Sequence, residues 1–503
     1  MAQQSDAWDV AIVGAGISGL SCALILRHFG YRVVVVEAQK RPAPVIAGFK
    51  RWGVHFDTGF HYAGGLAAGE GLHRLLVFLG LDRLLDYRFL DPSGFDRVLG
   101  MDGAFAFDFP CGPDNLIAAL TEAFPHEKIA IRQFVQDVLH ISDHLPYLNL
   151  EQPIDHISLF EQAHDGSLLD YLQRLTANRR LRHLLSLHTV LHGIAAAQVP
   201  FHFHACVVGA YFRSAATFSG GGAALARAFE QRLAQQDIPV LTGSEVKKIQ
   251  LSGQREVSGL ELADGRVIRC AAVVHTAAPA KLVEWLPEPA LRPVYRRRLL
   301  TLPDSSTANL LFARCTALPD SLRGRNLYLA DLDADDTQAG FPLHGGVADG
   351  LVYVSAGAGD GHAGVVAIVP SSPEAFMPWH GSHAGQRPQT YLRYKESLET
   401  ALLQRLQQQL PALASGIDRH ALATPLTLRD YLDSPNGALY GGGHRVGQYP
   451  LQVATRIKGL YLSGQAILAP GLMGTMVGAF YSCGAFIGHE RLLQELRWSS
   501  TGI

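Results

Sequence analysis

The segment DVAIVGAGISGLSCALILRHFGYRVVVVE, residues 9–37, decides the fold of this chain. Its pattern predicts, in order, a buried strand, a glycine turn, a helix, a second buried strand and a terminal acid, at residues 9–13, 14–19, 20–29, 32–36 and Glu37. This succession is typical of a dinucleotide-binding βαβ unit.

Each part of the segment has a chemical reason. Gly14 allows a tight turn, Gly16 lets the backbone approach a pyrophosphate, and Gly19 lets the helix pack closely on the strand. The helix N-terminus offers free N–H groups and a positive dipole end to the phosphates. Glu37 is placed to accept hydrogen bonds from an adenosine ribose. A glycine turn that binds no ligand would not explain why the three glycines and the acid occur together.

Composition narrows the class of protein. A chain of 503 residues can bury a large core and suggests two or more structural domains. A formal net charge of -2 argues against a nucleic-acid surface. The six cysteines include no CxxC pair, and the polar residues 1–8 do not resemble a secretory signal, so we expect a cytoplasmic protein without structural zinc.

Residues 460–488 carry no charge, but glycines and Pro470 predict a strand, a loop and a buried helix rather than a membrane span.

The regular pattern returns in two later parts of the chain. Residues 219–275 predict a helix, a strand, a hairpin with an Asp-Gly turn and a further short strand, and residues 457–488 predict a strand and a glycine-rich helix. We therefore expect a discontinuous nucleotide domain at 1–70, 219–290 and 426–503, and a substrate domain at 71–218 and 291–425.

These blocks together resemble the FAD-dependent amine oxidase and phytoene desaturase superfamily, and within it the carotenoid isomerase and retinol saturase branch. The resemblance is strongest in five stretches: Val10–Glu37, Phe56–Gly65, Gly220–Val274, Thr424–Gly441 and Gly459–Gly488. It implies an α/β fold with a Rossmann-like FAD-binding domain of the glutathione reductase type and an inserted mixed α+β substrate domain.

The resemblance also implies cofactor contacts. Gly14, Gly16, Ile17, Ser18 and Gly19 would meet the FAD pyrophosphate. Glu37 and Ala38 would meet the ribose, and Val246 the adenine. The remaining implied FAD contacts are Gly59 and Phe60 along the ring, and Gly464, Gln465, Gly471, Leu472, Met473, Gly474, Thr475 and Met476 near the C-terminus. Two stretches depart from the family pattern. Residues 42–48 lack the glycine pair that the family usually has soon after the ribose-binding acid, and Gln465 stands where the family often has an acid.

Acid–base and substrate residues are predicted with less support from motifs. His61 and Tyr62 are the candidates for proton transfer, because the resemblance places them near the flavin. His202, His204 and Tyr440 are candidates for the substrate pocket, since residues 201–204 alternate between phenylalanine and histidine. His188 and His192 have metal-ligand spacing, but no carboxylate is in register, so we expect no metal.

The expected activity is a redox reaction of an apolar, conjugated, polyene-like small molecule, with hydride passing between substrate carbon and flavin N5. Desaturation, saturation, non-redox cis–trans isomerisation and reductive cyclisation of a polyene tetramate macrolactam remain open. So does a flavin-free prenyl-protein binding module of the same fold. Residues 355–361 predict a hairpin loop rather than a second nucleotide site, so NAD(P)H would act only as an external reductant. Arg296–Arg298 would be a solvated face or a peripheral contact with a membrane.

Overall fold

In the computed structural model, residues 7–101, 103–151, 154, 166–253, 255–336, 347, 350–357 and 362–500 are described. The strands, in chain order, are β1 (Trp8–Val13), β2 (Val33–Val36), β3 (Phe49–Arg51), β4 (Val54–Phe56), β5 (Ala63–Gly64), β6 (Tyr87–Phe89), β7 (Asp96–Gly100), β8 (Ala106–Phe109), β9 (Ala215–Phe218), β10 (Val240–Leu241), β11 (Val246–Ser252), β12 (Glu256–Leu262), β13 (Val267–His275), β14 (Thr307–Cys315), β15 (Asn326–Ala330), β16 (Val352–Ala356), β17 (Ala363–Ser371), β18 (Ile417–Ala423) and β19 (Leu460–Leu462).

The α-helices, in chain order, are α1 (Ile17–His28), α2 (Gly71–Leu79), α3 (Pro113–Ala123), α4 (Lys128–Ser142), α5 (Leu168–Leu175), α6 (Arg179–Ser186), α7 (Phe201–Val208), α8 (Gly221–Gln235), α9 (Lys281–Trp285), α10 (Pro293–Leu300), α11 (Gln389–Gln409), α12 (Pro411–Gly416), α13 (Pro425–Leu432), α14 (Gly471–Ile487) and α15 (His489–Ser500). Short 3-10 turns span Asp82–Leu84, Pro125–Glu127, Leu187–Leu191, Glu288–Ala290, Asp320–Leu322, Pro373–Trp379 and Pro435–Gly437.

The first large sheet is parallel at its centre. Its strands follow the order β10, β2, β1, β13, β19, with Val10 paired to Val33 on one side and to Ala272 on the other. All four residues of β2 are buried, as expected where helices cover both faces of a sheet. Strands β12 and β11 continue from β13 as an antiparallel meander. Three distant parts of the chain thus build one sheet.

Two helices, α1 and α14, pack against each other beside this sheet. The Cys22 thiol on α1 lies 3.8 Å from the carbonyl oxygen of Ala479 on α14. Residues 476–484 of α14 are all buried, so the uncharged segment 460–488 forms a strand, a loop and a buried helix, as the sequence predicts. No helix among the described residues is long and apolar enough to cross a membrane.

The second large sheet is mixed and follows the order β18, β14, β17, β16, β15, β7, β8. Its one parallel pair joins β7 to β15, with Asp96 opposite Asn326. Strands β16 and β17 are antiparallel neighbours, which confirms the hairpin predicted around residues 355–361, although residues 358–361 lie outside the described residues.

Helix α2 ends at Leu79, because Gly80 adopts a left-handed conformation with φ of 70°. One predicted division of the chain was wrong. The separate strands predicted near residues 266–268 and 272–275 are the single strand β13, while the hairpin turn itself is confirmed by the bond from the Gly265 N–H to the Leu262 carbonyl.

A carboxylate connects the first and middle parts of the parallel-sheet half. Asp57 accepts a hydrogen bond of 2.9 Å from the backbone N–H of Gly222, in the first turn of α8. A negative charge at a helix N-terminus stabilises the helix. The contact fixes the segment that follows β4, residues 57–62, against the nucleotide-binding half.

Candidate functional site

The glycine turn after β1 has three glycines in three different environments. Gly14 has φ of 102°, and a Cβ there would lie 2.4 Å from the Thr276 hydroxyl. A Cβ on Gly19 would lie 2.0 Å from the Gly14 carbonyl oxygen, so the helix and the turn touch through this residue. A Cβ on Gly16 would meet nothing within 4 Å. The turn therefore leaves open space at Gly16 alone.

The N-terminus of α1 faces that open space. The helix begins at Ile17, three residues earlier than the sequence pattern predicts, and Gly16 at its N-cap offers no side chain to the first N–H groups. Such a helix end is an anion-binding site. The Ser18 hydroxyl instead bonds the Ser463 hydroxyl at 2.7 Å, which joins α1 to the end of β19.

Glu37 lies at the end of β2, close to the same turn. Its buried carboxylate accepts hydrogen bonds from the backbone N–H of Ala15 at 2.6 Å and of Gln39 at 2.7 Å. The Ser244 N–H bonds the Glu37 carbonyl, which brings the start of β11 at Val246 next to it. Ala38 is exposed. The Glu37 carboxylate and the start of β11 thus lie where the adenosine half of a dinucleotide would bind.

The segment that departs from the family pattern, residues 42–48, packs on the glycine turn. The Ala43 N–H donates to the Ala15 carbonyl at 2.7 Å, and Ala43 has a positive φ of 46°. A Cβ on Gly59 would lie 2.5 Å from the Val45 side chain. An alanine therefore takes the left-handed backbone position for which glycine is the usual residue.

The C-terminal part of the site begins directly after β19. Gly464 has φ of 105° and lies against the Thr276 carbonyl, and Gln465 is exposed. Helix α14 then starts at Gly471 after Pro470, with no side-chain cap on its first N–H groups. Leu472 and Met476 are buried, while Met473, Gly474 and Thr475 are half-buried. This second uncapped helix end faces a cleft.

The cleft has about 1090 Å³ of empty space, its open mouth included. Its polar lining side chains are His202, Cys206, Tyr211, His444, Arg445 and Gln448, and Gly64, Gly471 and Gly474 contribute backbone. The rest is apolar: Ala63, Leu145, Leu148, Leu191, Pro200, Phe203, Val207, Pro450, Leu468, Ala469, Pro470, Leu472, Met473 and Val477.

His61 and Tyr62 lie immediately before the cleft-lining residues Ala63 and Gly64, with their side chains directed to the second sheet. His61 Nδ1 is 2.9 Å from the Ser355 hydroxyl. Burial lowers the pKa of His61, partly opposed by Asp57. The Tyr62 hydroxyl donates to Asp96 at 2.7 Å, and burial together with Asp96 raises its pKa well above the ordinary value.

The predicted alternation at residues 201–204 was wrong, because this segment is the start of helix α7. Helical spacing puts His202, Phe203 and Cys206 on the cleft. His204 is buried in the interior, with Nδ1 3.1 Å from His192 Nε2. The Tyr440 hydroxyl donates to the Val190 carbonyl at 3.0 Å. Of the three predicted pocket residues, only His202 is among the described residues that line the cleft.

A buried polar cluster around Asp96 carries no signal in the local sequence. Asp96 is fully buried, and it accepts hydrogen bonds from Tyr62, from Asn326 at 2.8 Å and from His188 Nε2 at 2.9 Å. Tyr328 lies 3.2 Å from the Tyr62 hydroxyl. Several donors allow a carboxylate to remain in the interior. Sequence reasoning found no carboxylate for His188, because Asp96 is 92 residues away along the chain.

Several histidines near the cleft are held neutral. Burial lowers the pKa of His202 and of His444 to about 4, although a bond to the Gln465 carbonyl partly opposes the shift at His444. Burial, with His444 adding to it, lowers the pKa of His192 to about 3. The histidine-rich wall of the cleft is therefore uncharged at neutral pH.

An open glycine cradle, two uncapped helix ends and a carboxylate beside the first of them fit FAD in an extended conformation. Gly14 to Gly19 would hold its pyrophosphate, Glu37 its ribose, and the N-terminus of α14 the pyrimidine end of its ring. The fold and the site thus define a dinucleotide-binding flavoprotein.

A family model of flavin containing amine oxidoreductases matches residues 17–366. The chain belongs to this family, it is a flavin oxidoreductase, and its cofactor is FAD.

The similar proteins agree with this assignment. Human all-trans-retinol 13,14-reductase is 27% identical over 97% of this chain and 87% of its own length. Chloroplastic prolycopene isomerase of Arabidopsis thaliana is 25% identical over 96% of this chain and 84% of its own. The solved structure of wild-type putrescine oxidase bound to putrescine superposes with a TM-score of 0.62 at 15% identity, covering 95% of this chain and 99% of the other. The predicted resemblance is confirmed.

Two glycine substitutions should separate binding from folding. Gly16 has ordinary φ and ψ of -74° and 176°, so Gly16→Ala should fold normally but weaken FAD binding about tenfold or more, because its methyl group enters the space for the pyrophosphate. Gly19→Ala should instead lower the melting temperature of the FAD-free protein. Thermal unfolding and FAD fluorescence titration measure the two effects, and equal thermal destabilisation by both substitutions would contradict the assignment.

Stability should fall as the solution is acidified below about pH 6.5. Removal from water lowers the pKa values of the buried His192 and His275 and the half-buried His202 and His444, whereas in the unfolded chain the pKa is about 6.5. The unfolded state therefore binds more protons between pH 6.5 and pH 4, and the free energy of unfolding decreases through this window. Melting temperatures from pH 7.5 to pH 4.5 test the sign. His275→Gln should flatten the slope, and a melting temperature that rises on acidification would refute the mechanism.

Proposed function

We propose that this flavin oxidoreductase acts on carbon–carbon double bonds of an apolar, conjugated, polyene or isoprenoid-like molecule. The supporting observation is the cleft at the N-terminus of α14, whose lining is apolar at fourteen of its twenty-three residues. The names of the two similar curated proteins, a retinol reductase and a prolycopene isomerase, point to the same class of substrate.

FAD, when bound, supplies hydride transfer between flavin N5 and a substrate carbon. The protein contributes position and a dry environment. Phe203, Leu472 and Met473 are among the side chains that would hold a polyene in place and exclude water. The uncapped end of α14 would stabilise negative charge at the pyrimidine end of the ring.

Proton transfer is proposed for His61 and Tyr62, which directly precede the cleft-lining residues Ala63 and Gly64. His61 is neutral at physiological pH, because burial lowers its pKa, so it can accept a proton, and Ser355 orients its ring. Tyr62 has a raised pKa and stays protonated, with Asp96 holding its hydroxyl. Tyr211, which the sequence did not indicate, lines the cleft, and its ring centre is 5.0 Å from that of Tyr62.

Single turnover without oxygen tests the reaction. The holoenzyme, reduced chemically, is mixed with a C20 or a C40 polyene, and the spectra of flavin and polyene are followed together. Reduction of a double bond would oxidise the flavin in equal amount and blue-shift the polyene band, whereas isomerisation would change the polyene alone. Unchanged spectra with both polyenes would overturn the proposal.

A matched pair of variants checks that the cleft is where the polyene reacts. Val207→Trp fills the cleft and should slow single turnover about a hundredfold, because the chain no longer reaches the flavin. Val294→Trp adds the same bulk at a residue that is 82% exposed and should leave the rate unchanged. Flavin absorbance confirms that both variants retain FAD, and equal rates in the two would exclude this cleft.

The proton-transfer assignment has its own test. His61→Gln and Tyr62→Phe should each slow turnover about a hundredfold while FAD remains bound, because general acid–base catalysis contributes that much or more. Tyr211→Phe shows whether the hydroxyl in the cleft acts independently. Normal turnover by both the His61 and the Tyr62 variant would remove these residues from the mechanism.

A further inference from the structure

One charged side chain, that of Arg445, is found among the described residues that line the cleft. The other polar groups of the lining are histidines, a thiol, a phenol and an amide, and burial keeps His202 and His444 neutral. No aspartate, glutamate or lysine belongs to this lining. Arg445 is half-buried, and a charge that is partly removed from water is stabilised by an opposite charge nearby.

The hydrogen-bonding capacity of Arg445 is only partly used. One terminal nitrogen donates to the Asp304 backbone carbonyl at 3.1 Å. Its buried Nε has no hydrogen-bond partner among the described residues. Burial lowers the pKa of Arg445 and nearby Asp304 opposes this, but a guanidinium remains charged in proteins.

Asp304 is close enough to Arg445 to raise its pKa, but it does not form a salt bridge with the guanidinium. Its carboxylate accepts a hydrogen bond of 2.8 Å from the Asn436 amide. Among the described side chains, no carboxylate forms a salt bridge with Arg445. Because the Nε–H is enclosed, an anion in the cleft would bind the terminal nitrogens of the guanidinium, whose planar fork suits a carboxylate.

Arg445 lies on the loop at the mouth of the cleft. Residues 446–449 of this loop are exposed, and Gln448 and Pro450 line the cleft beside Arg445. The loop is held in place by Arg298, which donates to the Pro450 carbonyl at 3.1 Å, and by the Val446 N–H, which donates to Gln198. The inner lining, from α7 and α14, is mostly apolar. The charge therefore lies beside the exposed part of the lining.

We propose that the natural substrate is an amphiphile, an apolar conjugated chain that ends in a carboxylate, and that Arg445 binds this carboxylate at the mouth. This inference rests on the proposed function and specifies its substrate class. The neutral amide of Gln448 can donate to the same group. A hydrocarbon polyene would leave the guanidinium without its partner and is therefore disfavoured.

The test compares two ligands with the same chain, all-trans-retinoic acid and all-trans-retinol, by fluorescence titration of the FAD-loaded protein. The wild-type protein should bind the acid about ten- to a hundredfold more tightly than the alcohol. Arg445→Met should abolish this preference by weakening the acid alone, and Arg445→Lys should retain part of it. Arg297→Met, an exposed arginine outside the cleft lining, is the matched control and should leave both affinities unchanged.

The outcomes distinguish the two proposals. Equal binding of acid and alcohol by the wild-type protein, or equal weakening of both by Arg445→Met, would overturn carboxylate recognition and leave a polyene substrate standing. If neither ligand binds while FAD is retained, both carboxylate recognition and the proposal of an apolar conjugated substrate are overturned. Loss of FAD from Arg445→Met would assign the arginine to the cofactor and overturn the proposal.

Discussion

The contact between helix α1 and the glycine turn at Gly19 is the constraint on which the rest of the site depends. With no Cβ at that position, the helix touches the Gly14 carbonyl, and its N-terminus points into the open space at Gly16. The same helix carries Ser18, whose bond to Ser463 aligns β19 and therefore the start of α14. The lack of a side chain at Gly19 therefore determines where the N-termini of α1 and α14, the two helix ends that face the cofactor, lie.

Most polar side chains of the cleft lining are neutral, and the nearby Asp96 carboxylate does not belong to this lining. Its histidines are uncharged because burial opposes their protonation, and the Asp96 carboxylate is kept away from it by Tyr62, His188 and Asn326. Apart from Arg445, no side chain among the described lining residues is charged, so the N-terminal dipole of α14 is the main electrostatic feature beside it.

The sequence could predict the features whose causes are local. The turn at residues 14–19, the acid at Glu37 and the buried helix after Pro470 all have a physical reason within a few residues. Strand β13 was divided in two because its environment changes midway: residues 267–271 alternate beside β12, while Ala272 to His275 are buried between β1 and β19. Helix α7 was misread because alternating residues after Pro200 imitate a strand. The partnership of Asp96 with His188 and the position of Arg445 at the cleft arise only from tertiary packing, which no local pattern encodes.

The parallel sheet has a consequence for how the protein is made. Strand β13 pairs with β1 on one side. On its other side β12 covers residues 267–269, but residues 273–275 pair with β19, which is formed by residues 460–462. During synthesis, this apolar edge of β13 stays without its native partner until residues 460–462 have been made. Such an edge is prone to pair with other chains. The glycine turn and the N-terminus of α14 come together only when β19 has joined β13, so the complete FAD site depends on this late pairing.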